Sequence, residues 1–586
     1  MMNDFLYTTT HTHTDGMLFE GDHVVSYANF FSVVNHCTTI LSEIASGTPN
    51  RIGIYMQNSI DYVVAYYSVL LSGNIVVPIH IKMTPHELNF VLTHLTITTL
   101  ITNQQNHQKI TGLLKNLPTQ KNVTIVLQDS LHVKDMSQSS YRQWNRHPDD
   151  VAIILHTSGS LSQPKSVMLT SRNLLSCAGA IIEDLHITQY DKTLVWLPMQ
   201  YASANTSQLV THVLAGAKLV FTNLLFTAEN FFRLVEQHGI TNITLSPSLL
   251  LRLLGQAHLS RKYVMSSLRY ICYGGAPSPQ QKITHLIEEY PDIQFVHMYG
   301  QTEATTRISH YHEPKSSRKP GCVGKPIACV SCWIETDRGV ISTPYETGEV
   351  IVAGASIMKG YFNQPEETQK AIIRGCLHTG DIGYVDSDGD LFIVGRKKNI
   401  IIKGGENIYP EEIEEVLLSL DAIKDVMVVG MSDEEWGEVP VAYVVKDAAS
   451  QLSEKQVIKH VMYMLSPHKA PRKVCFTDEI VRTATGKLSR TIAEKDERVM
   501  IELKKTIARL SPVDTELSDI KDDTDLIFDL GYDSISIIQL IVELENQFDI
   551  VVDDGELVVD IVRYEELKKL VRQKQPEGMK NDEETA

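Results

Sequence analysis

The sequence predicts an α/β protein with a smaller α+β unit and a helical module behind it. Three observations predict this. Short β-rich runs alternate with longer helical stretches over residues 1 to about 395, the texture of parallel sheets covered by helices. Near residue 395 that alternation gives way to strand, basic turn, strand, Gly-Gly loop and helix. Charge then breaks sharply: the chain carries −18 overall, and the segment 497–586 alone holds 23 acidic and 11 basic residues, a net of −12.

In chain order, "RIGIYM", "VAIIL", "AKLVF", "NITLS", "LRYICYGG" and "IQFVHMYG" read as strands, and "SIDYVVAYYSVLLSG" as a helix. The second unit, 396–495, contains "FIVGRKKNIIIKGGENIYPEEIEEVL", the strands "DVMVVGM" and "VAYVVK", and the helix "EKQVIKHVMYML". The last module, 498–572, has the amphipathic stretches "ERVMIELKKTIARL" and "SISIIQLIVELENQF". In the second of these Ile537, Leu540, Ile541, Leu544 and Phe548 share a face, as expected of a small four-helix bundle. Residues 573–586 read as a disordered acidic tail.

Bulk properties exclude several classes. With 586 residues, 43% hydrophobic and 21% charged, the chain has the composition of a globular protein of several domains. No apolar run approaches the ~20 residues of a membrane span. The opening "MMNDFLYTTTHTHTDG" does not read as a signal peptide, so a cytoplasmic location is expected. The acidic balance argues against nucleic acid as a partner. Cys329 and Cys332 make a lone C-x-x-C with no second pair at metal-site spacing, and are expected to be reduced core cysteines.

The chemistry begins at "HTSGSLSQPKS", residues 156–166, directly after "VAIIL". Read as a Walker A loop it fails at one place. Gly159 is followed after four residues by Pro164, where a second glycine should offer an N–H to phosphate. Four further motifs decide the matter: "YGQTE" (299–303), "HTGDIGY" (378–384), "GRKKNIIIKGGENIYPEEIE" (395–414) and "RTATGKLSR" (482–490). Together and in this order they resemble the acyl-adenylate-forming superfamily of acyl-CoA synthetases, peptide-synthetase adenylation domains and luciferases. In that pattern Pro164 is expected.

The resemblance implies a large adenylation subdomain (1–395), a small mobile one (396–495), ATP and Mg²⁺. Two anions must meet when a carboxylate attacks the α-phosphate, so donors, a cation and a metal ion are needed. Thr157, Ser158, Gly159 and Ser160 would donate to the β- and γ-phosphates, with Lys165 closing the loop. Tyr299, with Gly274, Gly275 and Ala276, would accept adenine. Gly300 and Thr302 would face the α-phosphate, and Glu303 would bind Mg²⁺ through a hard oxygen. Asp381 and Arg396 would hold the ribose. Lys487 would be the cation of the adenylate step. Lys398 would be the hinge that exchanges Lys487 for the Gly404–Gly405 loop, which lines a tunnel for a pantetheine thiol. Two positions depart from the pattern: Ser162 stands where the loop usually has glycine, and Val481 where proline often precedes the "TGK" turn.

"DLGYDSISIIQL", 529–540, is similar to the attachment segment of acyl and peptidyl carrier proteins. The resemblance implies 4′-phosphopantetheine on Ser534 at a helix start, where N–H groups and the helix dipole favour a phosphodiester. It also implies a phosphopantetheinyl transferase and a downstream synthase or condensation enzyme as partners.

The acid is read from "WLPMQYASANTSQL". Members that activate amino acids place an Asp where this chain has Ser203. An ammonium buried there would lack a partner, so a non-amino acid is expected, fatty in the first instance and aryl as the rival. Tyr201, Ser203 and Asn205 are the candidates to face it. No long insertion of the fatty acyl-AMP ligase kind is present, so completion of the thioester is expected. The whole reads as a self-loading acid–thiol ligase. The alternatives are a ligase releasing free acyl-CoA and a non-catalytic carrier scaffold.

Overall fold

In a computed structural model the chain divides into two units. One comprises 1–157, 165–400 and 418–421, the other 158–164, 401–417 and 422–586. The structure describes residues 16–44, 49–115, 117, 123–127, 147–157, 165–276, 278–314, 316–341, 343–433, 435–447, 450–480, 482, 490–517, 519–521, 523–548, 550, 552 and 563–574.

The first unit is built on two large sheets. One has seven strands. Its centre is parallel, with Arg51–Ile54 between Ile75–Pro78 and Thr99–Thr102, and Val151–His156 and Ser166–Thr170 close one side as an antiparallel pair. The other has fifteen strands. Lys192–Val195, Asn242–Leu245, Tyr270–Gly274 and Gln294–Tyr299 run parallel there, as the β-rich runs suggest. Beyond Gln294–Tyr299 the same sheet turns antiparallel through Ser309–His312, Cys322–Pro326, Leu391–Arg396 and Cys376–Val385. Strand and helix runs alone do not foretell how that half is joined, because Cys322–Pro326 pairs with Leu391–Arg396 across about 65 residues of sequence.

The helix Ile60–Leu71 explains how the sheets share a core. Every residue in it except Asp61 is buried. A helix apolar all round must be covered on all sides. It lies in one cluster with Ile54 and Val76 of the seven-stranded sheet and Val195 and Leu219 of the fifteen-stranded one. Ser59 caps its start by accepting from the Tyr62 N–H at 3.1 Å.

In the second unit, Ile423–Asp433 and Gly437–Lys446 form a long antiparallel pair, flanked by Ile401–Lys403, Glu406–Ile408 and Lys473–Phe476. The helix Arg490–Leu510 then runs without a break through the region where two modules meet in the sequence. Its later turns, Met500, Leu503 and Ile507, pack with Leu540, Ile541, Leu544 and Phe548 of the helix Ser534–Phe548 and with Leu567 and Val571 of Tyr564–Lys574. The stripe of Ile537, Leu540, Ile541, Leu544 and Phe548 thus faces the bundle core as its spacing requires. Three of the expected bundle helices fall among the described residues; the tail, 573–586, lies almost wholly outside them.

Candidate active site and carrier site

The phosphate-loop segment leaves the sheet at His156 and returns at Ser166, residues that are paired across the hairpin. The Thr157 N–H donates to the Lys165 carbonyl at 3.0 Å and closes its base. Ser158, Gly159, Ser160 and the departure at Ser162 lie outside the described residues, as do Val481 and Lys487.

A short segment after the loop collects three groups from distant parts of the chain. Gly360–Tyr361 pairs antiparallel with Ser166–Thr170, and the Phe362 N–H donates to the Ser166 carbonyl at 2.8 Å. Met358 N–H reaches the Glu303 carbonyl at 2.9 Å, and the Tyr361 hydroxyl donates to Glu303 Oε1 at 2.8 Å. Lys165 Nζ sits 4.8 Å over the Tyr361 ring and 2.6 Å from Glu367 Oε2. Lys165 and Lys370 hold the Glu367 carboxyl down at about 2. Lys165 is therefore matched by a carboxylate where it stands. Tyr361 and Glu367 escaped the sequence reading; the only signal was a Gly-Tyr pair entering a two-residue strand.

Gly274 and Tyr299 end adjacent parallel strands, with Gly274 in register with Met298. Gly275 and Ala276 therefore emerge beside Gly300 at the carboxyl ends of the strands, where open α/β sheets bind ligands. Gly274 has no room for a side chain: a Cβ there would come within 2.2 Å of the Met298 carbonyl. Gly300 is equally constrained, with Thr306 O at 2.1 Å from such a Cβ. The turn that presses on it, Thr302–Ala304, ends with Thr305 at φ 62° and Thr306 at φ 120°. Positive φ is costly for a β-branched residue. Here it is held by Thr306 N–H to the Gln301 carbonyl at 3.0 Å and by the Thr305 hydroxyl on Ser356 O. The turn fixes Thr302 and Glu303 beside Tyr299.

Asp381 and Arg396 face each other across antiparallel strands. Asp381 is buried. It accepts from the Tyr299 hydroxyl at 2.6 Å and pairs with Arg396 Nε at 2.6 Å. Burial and the Asp381 charge push the Tyr299 phenol well above its usual range. Asp381 is thus held at the strand edge by a phenol on one side and a guanidinium on the other.

Of the acyl candidates, Tyr201 is half-buried and stacks on His80 at 5.6 Å and 27°, and Ser203 is half-buried. Asn205 is fully buried and committed: it accepts from Tyr66 at 2.9 Å and donates to the Met199 carbonyl at 3.2 Å. Its amide is therefore spent on tying Met199 and Tyr66 together. The chain from Asn205 to Val210 winds as a π-helix, a form that recurs at functional sites.

In the second unit, Gly404 and Gly405 form the tip of a hairpin at φ 57° and 85°, with Gly404 N–H on the Trp436 carbonyl at 2.8 Å. Lys398 lies in the turn Lys397–Asn399, just before the chain leaves the first unit. In the carrier region Ser534 is the first residue of its helix. The cap is Asp533, whose Oδ1 accepts the Ser536 N–H at 2.8 Å, while the Asp533 N–H donates to Ser536 Oγ at 2.7 Å. Those donors hold the Asp533 carboxyl below its usual range. Asp533 thus performs the capping of this helix.

Residues 8–362 match the AMP-binding enzyme family, which is more than half of the chain. The chain belongs to that family. Residues 412–487 match the AMP-binding enzyme C-terminal domain and 502–571 the phosphopantetheine attachment site. The chain is an adenylate-forming ligase of acid–thiol type followed by a carrier domain. Among AMP-binding enzymes it is 30% identical over 450 residues to a 2-succinylbenzoate–CoA ligase of Bacillus mycoides (strain KBAB4), covering 77% of this chain and 89% of that protein. A ligase of the same name from Geobacillus sp. (strain WCH70) is 30% identical over 439 residues, covering 75% and 86%. The o-succinylbenzoate CoA synthetase of Bacillus subtilis, solved with the acyl-adenylate OSB-AMP, superposes with TM-score 0.74 at 28% identity, over 84% of this chain and 97% of that one. ATP-bound MatB from Rhodopseudomonas palustris, at 23% identity and TM-score 0.75, shares the fold over 84% of this chain and 99% of that one. No helix among the described residues is long and apolar enough to cross a membrane.

Proposed function

We propose that this chain activates a non-amino carboxylic acid with ATP as an acyl adenylate and loads it onto its own carrier domain at Ser534. The observation that carries the reading is the joint presence, in one chain, of a built nucleotide-type site and a carrier helix that begins at Ser534 behind the cap Asp533. Glu303, Tyr361 and Lys165 cluster beside the phosphate-loop hairpin, and Tyr299, Asp381 and Arg396 form a second bonded set.

Each group has a defined task. Glu303 Oε1 is oriented by Tyr361, and its hard oxygens suit Mg²⁺, which when bound supplies charge neutralisation for the phosphates. Asp381 offers acceptor capacity to ribose hydroxyls. Thr302 donates toward the α-phosphate. Lys165 exchanges Glu367 for a phosphate oxygen as ATP arrives. Lys487, Ser158, Gly159 and Ser160 complete the set by motif. Lys398 serves as the hinge, and the Gly404–Gly405 tip lines the path of the pantetheine thiol. Ser534, reached by a phosphopantetheinyl transferase, carries the prosthetic group that supplies the thiol, and a downstream synthase or condensation enzyme takes the acyl group.

The absence of a carboxylate at Ser203 supports a non-amino acid. The named relatives act on 2-succinylbenzoate with CoA, which favours one rival: release of free acyl-CoA from a soluble thiol. The test is acylation of the intact, pantetheinylated chain against release of acyl-CoA in the same mixture. Carrier acylation faster than acyl-CoA release supports self-loading; acyl-CoA release with an unloaded carrier supports the rival.

A further inference from the structure

Arg307 is 2% exposed, and its guanidinium has no carboxylate within 4.0 Å among the described residues. Nη2 donates to Ser207 Oγ at 2.8 Å, and Nε is buried with no acceptor among the described residues. Asp184, the carboxylate whose charge reaches it, is itself engaged by His310 and His312. A buried guanidinium with no directly bonded carboxylate leaves its desolvation uncompensated by hydrogen bonds, a deficit that a ligand carboxylate would fill. Burial pulls the guanidinium below its usual range, the signature of the same deficit.

Its position says which ligand. Arg307 follows the turn that carries Thr302 and Glu303. Tyr270, Cys272 and Gly274 lie on one face of a single strand, because side chains there alternate. Arg307 interacts electrostatically with Cys272 and Tyr270 of that strand and with Cys177 and Asp184 of the helix Ser171–Leu185, so it lies over the strand face that ends at Gly274, between strand and helix. Its one bonded partner, Ser207, belongs to the π-helix Asn205–Val210 that continues from Tyr201 and Ser203. More unmet polar groups gather in the same elements: Tyr270 Oη and Thr206 Oγ1 are buried without a partner. A guanidinium fork and hydroxyl donors are the complement of a carboxylate.

Resting on the ligase reading above, we propose that Arg307 and Ser207 receive a second carboxylate on the acid being activated, so that the substrate class is dicarboxylic acids. One carboxylate is adenylated; the other remains ionised against Arg307. This replaces the fatty acid of the sequence reading, since an alkyl chain would leave the guanidinium unpaired.

The test uses the full pantetheinylated chain and matched probes: glutarate, adipate and 2-succinylbenzoate, each beside its mono-methyl esters, with hexanoate and benzoate as single carboxylates. Acid-dependent pyrophosphate exchange is expected to favour the diacids by about 100-fold in kcat/KM. Arg307→Met should erase that preference chiefly through KM, and Arg307→Lys should restore part of it. Should Arg307→Met not fold, Ser207→Ala is expected to weaken the preference by about 10-fold. Esters or single carboxylates used as well as diacids, or a preference that survives Arg307→Met, overturns the inference and leaves the ligase reading standing. If no acid drives exchange, the ligase reading falls, and calorimetric titration of the same acids decides the inference separately. Diacid binding lost in Arg307→Met upholds it; binding that is absent or unchanged overturns it.

Discussion

Two arginines removed from solvent, one in each unit, meet opposite fates. Arg490 Nη2 reaches both carboxylate oxygens of Glu414, at 2.6 and 2.7 Å, and Nε donates to the Val428 carbonyl at 3.0 Å. Arg307 has one neutral hydroxyl and an idle Nε. Arg490 joins the start of the helix Arg490–Leu510 to the sheet it packs on, and its bonds are complete within the protein. Arg307 bonds only to Ser207 of the segment Asn205–Val210 and leaves Nε without an acceptor among the described residues. On the proposal above, the contrast separates a charge kept for folding from a charge kept for a ligand.

The largest expected effect breaks the symmetry between them. Arg490→Met strands Glu414, whose carboxyl burial already pushes up to about 7, and should cost about 3–5 kcal/mol of stability. Arg307→Met should cost nothing measurable in the ligand-free chain, because it removes an uncompensated charge. Scanning calorimetry of both variants checks this; equal losses would erase the distinction.

Some buried groups avoid the problem by staying neutral. Burial lowers His156 and His310 to about 4, and Nε2 of each has no partner. The unfolded chain binds protons below about pH 6.5 while these rings do not, so stability falls as pH drops from 6.5 toward 4, by roughly 3 kcal/mol for each ring at the lower end. Melting temperatures at pH 7, 5.5 and 4.5 should show the decline. His310→Gln should flatten part of it.

Asp381 is a third case, a buried carboxylate paired with the Tyr299 hydroxyl and Arg396. Asp381→Asn should lower kcat/KM for ATP about 100-fold with the melting temperature nearly unchanged. The smallest effect is expected at Tyr361→Phe, which frees Glu303 Oε1 from its donor and should raise the Mg²⁺ concentration needed for half-maximal exchange by about 5-fold.

The contrast also marks what the sequence could reveal. The parallel strands, the amphipathic carrier helix and the order of the motifs were legible because each is local: apolar periodicity fixes Leu540, Ile541 and Leu544 inward, and "YGQTE" needs no partner to be read. Arg307 was not. Its meaning depends on Ser207, a hundred residues earlier, and on a π-helix with no sequence signature. Tyr361 and Glu367 were missed for the same reason, since only strand pairing brings them to Glu303 and Lys165. The capping role of Asp533 was a matter of one residue, and a "DS" pair before a helix leaves either side chain eligible.

Self-loading can be read from the mass of the intact chain. The intact chain is pantetheinylated and incubated with ATP, Mg²⁺ and a diacid such as 2-succinylbenzoate, and its mass is then recorded. An acyl adduct is expected on the prosthetic group and is absent in Ser534→Ala. No adduct with any acid, or one that persists in Ser534→Ala, would contradict self-loading.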